Sequence, residues 1–426
     1  MFCDWLNELQ RFLHWGPVIV FSLMTCVTWT TVHVNAMWWP PAESFNAAIN
    51  FVLIVFFNLI TLYHFSMSIL VGPGLLPKHW RPENPEDEQF LQFCKVCDGY
   101  KAPRAHHCRR CKRCVLRMDH HCPWINNCIG WANQANFFYF LFFFMLGSIQ
   151  SALIIGFSCY EGIYRRALLK QGDTNGIRVV LTLRSAMACM YSLGIVVGVL
   201  LATLKLMQLQ IKAIIWNLSE IEGWIVKKAE YRRYASSSIG IAIPKFDYPY
   251  DMGVWRNILE TFTPSNDGIN WPVRPGCDQY TMTREQLAQK VQKRARTRTY
   301  RCIASATGYW LPILSQGLMV TICMPCADDP RIVVHKGDLV QVTRVQEYWL
   351  YGERVLSKRE QKLQKKHQLK GHIRGWFPRC CAVEQFDEDQ SAGDTVDVTH
   401  NTDQEKTKTG SKIKKRKPKP NTFSLN

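Results

Sequence analysis

The sequence predicts an α-helical membrane protein with four transmembrane helices, a cysteine-rich segment between the second and third, and a small β-module near the C-terminus. Three observations predict it: four long stretches without charge, one dense cluster of cysteines and histidines, and a late segment of short alternating strands.

The four stretches lack Asp, Glu, Lys and Arg over enough residues to cross about 30 Å of hydrocarbon. They run from Gly16 to Val34, Phe45 to Val71, Ala135 to Cys159 and Ser185 to Leu204. The first has no small-residue cleavage site and is followed by Trp38 and Trp39 as interfacial anchors, so it reads as a retained span and not a signal peptide. Between spans two and three lie Lys95, Lys101, Arg104, Arg109, Arg110, Lys112, Arg113 and Arg117, whereas Pro40 to Ser44 carries no basic residue. The positive-inside bias therefore places the cysteine-rich segment and both termini in the cytosol, against the smaller count of Arg165, Arg166, Lys170 and Arg178 on the other side. After span four, Lys205 to Lys228 reads as a helix leaving the membrane, with Trp216 and Trp224 at interfacial spacing. No internal repeat is evident.

Composition narrows the function less than the spans do. The 52 Lys and Arg against 34 Asp and Glu give a net charge of +18, which suits an anionic membrane face, nucleic acid or a phosphate-bearing ligand. Of 17 cysteines, those outside the cluster show no disulfide framework. Inside it, paired histidines interleave the thiols, which points to metal.

The cluster reads Cys94-x2-Cys97-x9-His107-Cys108-x2-Cys111-x2-Cys114, then Asp119-His120-His121-Cys122, then Cys128. Two residues between cysteines is the spacing of a zinc knuckle, where a tight turn aims two thiolates at one tetrahedral ion. Cys94, Cys97, Cys108, Cys111, Cys114 and Cys128 provide six thiols, and one histidine added to each three makes two closed Cys3His sites. Closed four-coordinate sites are structural, so the two zinc ions need do no chemistry.

That count leaves Cys122 free. Pro123 disfavours helix at Cys122, and in an extended segment His120 and Cys122 share one side while His121 faces the other. His121 then ligates zinc, and His120 stands beside the thiol as its base, with Asp119 orienting the imidazole. A neighbouring imidazolium also lowers a thiol pKa. Span three begins at Ala135, so this nucleophile sits at the membrane surface. Trp124 and the phenylalanines at 137, 138, 140, 142, 143 and 144 line the approach, which lets the thiol receive a chain that stays in the apolar phase.

These residues resemble the DHHC-type protein S-acyltransferases, named for the tetrapeptide found here as Asp119 to Cys122. The match covers every spacing above, Asn133 and Phe137, and the placement of the cluster between spans two and three. The resemblance implies a two-step reaction: palmitoyl-coenzyme A (acyl-CoA) acylates Cys122, and the acyl group passes to a cysteine of a membrane-apposed protein. It implies one zinc on Cys94, Cys97, His107 and Cys114, and a second on Cys108, Cys111, His121 and Cys128. It further implies that Lys101, Arg104 and His106 meet coenzyme A phosphates, and that Trp124, Phe137 and Phe140 lie near the acyl chain. The chain departs from the family at Gly72-Pro73-Gly74, where Asp-Pro-Gly is common, and at Ser219-Glu220-Ile221-Glu222, where Thr-Thr-x-Glu is usual. Tyr250 to Gly253 with Asn257 resembles the family's C-terminal motif, whose asparagine supports packing near the site.

From Thr299 to Phe386 the pattern resembles an SH3 barrel with a basic insertion at Ser357 to Lys370; the ligand-facing tryptophan of such domains falls at Tyr348. Cys323, Cys326, Cys380 and Cys381 are ordinary cytosolic thiols of this module. An SH3-like tail on a four-span enzyme resembles the endoplasmic-reticulum subgroup, which implies residence in that membrane and a small membrane selenoprotein partner.

The expected organisation is a cytosolic N-terminus (1–15), spans one and two (16–71), a β-hairpin-rich two-zinc DHHC cysteine-rich domain (72–134), spans three and four (135–204), a juxtamembrane region (205–298), an SH3-like β-barrel (299–386) and a disordered basic tail (387–426). Two other readings compete: a non-catalytic zinc scaffold and a nucleic-acid-binding zinc finger. Four spans, and no recognition helix between ligand pairs, argue against nucleic acid.

Overall fold

The computed structural model describes residues 10–171, 181–237, 243–264, 266–309, 316–325, 329–366 and 373–385. The chain divides into two compact units, Met1–Ala295 and Arg296–Asn426. The expected tail at 387–426, together with Arg178, Cys326 and part of the basic insertion, lies outside the described residues.

The first unit is built on α1 (Trp15–Trp38), α2 (Phe45–Leu70), α3 (Gln134–Lys170) and α4 (Leu183–Ile215). All four are long and apolar enough to cross a bilayer, so this is a multi-pass membrane protein. Polar side chains join them in the interior: Asn50 bonds Asn35 at 2.6 Å and Gln150 at 2.9 Å, and Thr30 meets Ser192 at 2.9 Å.

Two helices overrun the spans read from hydropathy. At 37 and 33 residues, α3 and α4 are about 55 and 50 Å long. A span ends at the first charge it cannot bury, but a helix ends where its hydrogen bonding ends. Arg165 and Glu161, one turn apart, pair at 2.8 Å and carry α3 on to Lys170. On the side of the cysteine cluster, α4 runs on past the apolar stretch as far as Ile215.

There the expected continuous helix from Lys205 to Lys228 is broken. Asn217 takes a left-handed φ of 46°, and Ser219 starts a new helix, α5 (Glu220–Ser237). Ser219 Oγ accepts from the Glu222 N–H at 3.2 Å while Glu222 Oε2 accepts from the Ser219 N–H at 2.9 Å. This reciprocal capping box is what the Ser-x-x-Glu spacing encodes. Beyond it come α6 (Val254–Phe262) and α7 (Thr281–Ala295).

The cysteine-rich segment folds into three two-stranded hairpins: β1–β2 (Phe93–Cys94, Gly99–Tyr100), β3–β4 (His106–Cys108, Arg113–Val115) and β5–β6 (His120–Cys122, Asn127–Ile129). They share one register, with Cys94 opposite Gly99, Cys108 opposite Arg113 and Cys122 opposite Asn127. Each turn uses a left-handed residue at the same place: Asp98, Lys112 and Asn126, with φ of 50°, 54° and 47°. The expectation of no internal repeat is thus corrected, since this unit recurs every 14 residues.

The hairpins are tied to the spans by two asparagines. Asn133, at the start of α3, donates to the carbonyls of Ser68 (3.0 Å) and Cys128 (2.9 Å) and accepts from the Gly130 N–H. Asn127 donates to Ile69 at 3.1 Å. At the other side, α1 approaches so closely that a Cβ on Gly16 would stand 1.9 Å from the Pro123 carbonyl oxygen.

The second unit is a five-stranded antiparallel sheet in the order β10-β9-β8-β7-β11, from β7 (Arg298–Cys302), β8 (Leu339–Val345), β9 (Trp349–Arg354), β10 (Arg374–Pro378) and β11 (Ala382–Glu384). Tyr300, Val340, Val342, Leu350 and Phe377 form its core. Among the described residues the ladder does not close, so an open sheet stands where an SH3-like barrel was expected. Short helices α8 (Leu318–Ile322) and α9 (Lys358–Lys365) interrupt it, the second inside the basic insertion.

Candidate active site and metal centres

The three hairpins explain how seven thiols are shared. One set brings Cys94, Cys97, His107 and Cys114 together, and another Cys108, Cys111, His121 and Cys128. Each set takes its knuckle from one hairpin and its histidine and last cysteine from the next. Bond lengths of ~2.3 Å to sulfur and ~2.0–2.1 Å to nitrogen imply tetrahedral edges of about 3.6 Å (N to S) and about 3.8 Å (S to S). Nδ1 of His107 lies 3.4, 3.4 and 3.8 Å from Cys94, Cys97 and Cys114, and Nδ1 of His121 lies 3.7, 3.4 and 3.6 Å from Cys108, Cys111 and Cys128. Both donor sets fit two structural zinc ions.

In the third hairpin Cys122 occupies the place of the first knuckle cysteine. The second knuckle position, three residues on, is the buried Ile125 instead of a thiol. The hairpin that would supply the remaining ligands is replaced by α3. Cys122 therefore belongs to neither set. It is 4% exposed and packs with Phe65, Ile129, Phe137, Phe140 and Met207.

His120 and Asp119 stand beside it. Nδ1 of His120 is 2.9 Å from Oδ2 of Asp119. Burial alone would pull the imidazole pKa down, but its hydrogen bonds with Asp119 and Cys122 and their charges outweigh this and push it up to about 10. Burial opposes the Asp119 carboxylate too, yet His120, the Glu220 N–H and the Gln210 amide hold its pKa below the usual range. Those last contacts are 2.7 Å from the Glu220 N–H to Oδ1 and 3.0 Å from Gln210 Nε2 to Oδ2. The Glu220 N–H belongs to the first turn of α5, so the positive end of that helix points at the Asp119 carboxylate.

What fixes the start of α5 is a buried ion pair. Arg104 donates to Glu222 through Nε (2.7 Å) and Nη2 (2.8 Å), and to Asn217 Oδ1 and its carbonyl at 3.1 and 2.7 Å. Its guanidinium is stacked between Tyr250 and Trp271, 4.3 and 4.4 Å from the two rings. Arg117 donates to the same Asn217 Oδ1 at 2.8 Å and to Gln134. Asn257 completes the frame by donating to Ile215 at 2.7 Å, which ties α6 to the end of α4.

This corrects one expectation outright. Arg104 is buried and its donors are engaged within the protein, so it does not offer them to coenzyme A phosphates. His106 is poorly placed for that role as well. Its Nε2 is shielded without a hydrogen-bond partner, and burial pulls its pKa down to about 4, which leaves the ring neutral. Lys101 keeps a half-exposed side chain, while its backbone N–H bonds Gln92 at 2.9 Å. Phe137 and Phe140 are buried with Cys122, and the Phe137 ring meets His120 edge-on at 5.9 Å. Trp124 is exposed and packs edge-on against Trp15 at 5.5 Å.

Sequence reading passed over Gln210, Asn217, Arg117 and the Glu220 N–H. Two signals were available: a glutamine late in an apolar helix, and an asparagine directly before a capping box. In the Ser219–Glu222 departure, the position of the family's second threonine meets Asp119 through its backbone.

Comparison with known proteins agrees with this geometry. The DHHC palmitoyltransferase family matches residues 87–227. Palmitoyltransferase ZDHHC6 of Bos taurus is 38% identical over 395 residues, which cover 88% of this chain and 92% of the relative, and the Homo sapiens protein of that name gives the same identity and coverage. Probable protein S-acyltransferase 15 of Arabidopsis thaliana is 30% identical over 256 residues, covering 58% of this chain and 92% of its own. With its two zinc sets, its free Cys122 and this degree of similarity, the chain belongs to the DHHC palmitoyltransferase family, enzymes that move a fatty acyl group from acyl-CoA to protein cysteines.

Proposed function

We propose that Cys122 is the nucleophile, His120 its base and Asp119 the group that orients the imidazole. In the first step His120 takes the Cys122 proton, and the thiolate attacks the carbonyl carbon of palmitoyl-CoA. A new C–S bond forms, the bond to the coenzyme A sulfur breaks, and the departing thiolate takes the proton back from His120. In the second step His120 accepts the proton of a substrate cysteine. That thiolate attacks the Cys122 thioester, and Cys122 leaves and is reprotonated. Zinc, held by the two Cys3His sets, keeps the hairpins in place and takes no part in either step.

The observation that carries this reading is the seventh thiol, outside both metal sets and beside an Asp119-held His120 among aromatic side chains. The acyl chain is assigned to the bundle interior. A small cavity there, of about 40 Å³, is lined by Phe144, Ser148 and Ser151 of α3 with Thr28 of α1 and Asn58 and Thr61 of α2. Ser148 is about 16 Å along α3 from Phe137, close to the ~15 Å depth of one hydrocarbon leaflet. Lys101 is the remaining candidate for a coenzyme A phosphate.

The basic residues between α2 and α3 support a cytosolic site. An endoplasmic-reticulum location and a small membrane selenoprotein bound by the second unit rest on the subgroup resemblance. The test of the chemistry is incubation of purified, zinc-loaded enzyme with labelled palmitoyl-CoA. Hydroxylamine-labile label is expected on the native enzyme and absent from Cys122→Ser; label that survives this substitution contradicts the assignment.

A further inference from the structure

Helix α6 (Val254–Phe262) is packed the wrong way round for a helix in water. Its buried residues are polar, with Asn257 0% and Thr261 4% exposed, while Trp255, Leu259 and Val254 are 80%, 59% and 49% exposed. Soluble helices bury the apolar face. At 3.6 residues per turn, Val254, Trp255, Ile258, Leu259 and Phe262 fall on one arc of about 140°. Asn257 and Thr261 form a second face toward the protein, and Arg256 and Glu260 a third, away from both. Such a three-way division suits a helix that meets protein, hydrocarbon and water at once.

The contacts of α6 fix where it lies. Asn257 donates to Ile215, the last residue of α4, at 2.7 Å. Phe262 meets Phe138 and Tyr139, in the opening turns of α3, at 5.3 Å from each ring. Both anchoring points are at the cluster side of the bundle, so α6 is strapped across the ends of two spans. Its apolar arc runs on into the outer surface of α3, where Phe138 stacks on the exposed Phe142. Trp15 and Trp216, at the neighbouring ends of α1 and α4, are also exposed, as interfacial tryptophans are.

We propose that α6 lies in the plane of the bilayer surface on the side of Cys122, with Val254, Trp255 and Leu259 in lipid and Arg256 and Glu260 toward water. The occupant of the apolar face is lipid and not a protein partner, because the face is continuous with a span surface that only lipid covers. The inference rests on the four helices crossing a membrane and is independent of the chemistry assigned to Cys122.

The full-length protein would be reconstituted in phosphatidylcholine vesicles with a trace of phospholipid carrying a diazirine high on one acyl chain. After irradiation and digestion, carbene adducts would be mapped by mass spectrometry. Leu153, exposed on α3, is the lipid-facing reference, and Val291, exposed on α7 outside the spans, is the aqueous one. Adducts on Trp255 and Leu259 at least fivefold above Val291, and within a few-fold of Leu153, are expected. Labelling of Leu153 with 254–262 no higher than Val291 overturns the proposal, whether protein or water covers the face.

Discussion

The backbone N–H of Glu220 lies 2.7 Å from Oδ1 of Asp119, although the two residues are 101 positions apart. The contact joins the start of α5 to the carboxylate that holds His120. Whatever keeps α5 in place therefore also orients His120.

The strongest such restraint is Glu222 against Arg104, and both side chains are buried. Removing one member of a buried pair leaves a charge without a partner, at a cost of about 3–5 kcal/mol. Glu222→Ala is expected to lower thermal stability in detergent by that order and to slow Cys122 acylation in the fraction that stays folded. A stability near native would contradict the clasp.

The same pair makes stability depend on pH. Burial raises the Glu222 pKa, but Arg104 outweighs it and brings the group down from its ordinary value to about 2. A depressed carboxylate stabilises the fold above its unfolded pKa and loses that contribution as pH falls through its folded one. Unfolding of the native enzyme followed between pH 5 and 2 is thus expected to show a loss that Glu222→Gln lacks. Parallel curves for the two would contradict it.

Ser219 acts on the same helix more weakly. Ser219→Ala removes one half of the capping box and is expected to cost about 1 kcal/mol, whereas Ser219→Thr, which keeps the hydroxyl, stays near native. Chemical or thermal unfolding of the two variants, compared side by side, checks the order.

Much of this protein can be read from its sequence because the informative signals are local. Charge-free stretches locate the spans, and knuckle spacing with a leftover cysteine locates Cys122. The role of Arg104 cannot be read that way. Its basic charge suggests a phosphate, but its partner is 118 positions away in a capping box. The hairpin repeat was hidden for a related reason. What recurs is a backbone register with a left-handed turn residue, while Ile125 breaks the cysteine pattern at the very hairpin that carries Cys122. The ends of α3 and α4 escaped hydropathy because helices outlast the membrane.

Gly16 offers a test of how the segment after Cys122 is buttressed. A methyl group there would meet the Pro123 carbonyl oxygen at 1.9 Å, so either α1 or the segment after Cys122 must shift. Gly16→Ala is expected to cost about 1–3 kcal/mol as an overpacked contact and to slow acylation of Cys122. Native stability and rate would show that α1 does not brace this segment.

The two adjacent histidines separate metal from chemistry. His121→Ala is expected to lose the second zinc and weaken the hairpins, because His121 Nδ1 sits within 3.7 Å of three thiols. His120→Ala is expected to keep both zinc ions and slow acylation. Metal analysis of each variant reads the difference, and zinc loss from His120→Ala would place that residue among the ligands.

The most direct measurement joins the two halves of the account on one sample. Enzyme acylated with palmitoyl-CoA would be analysed for zinc and, after digestion, for the position of the thioester. One acyl group on Cys122 with two zinc ions retained per chain is the predicted result. An acyl group on any of the six other clustered thiols, or zinc released as Cys122 is acylated, would contradict it.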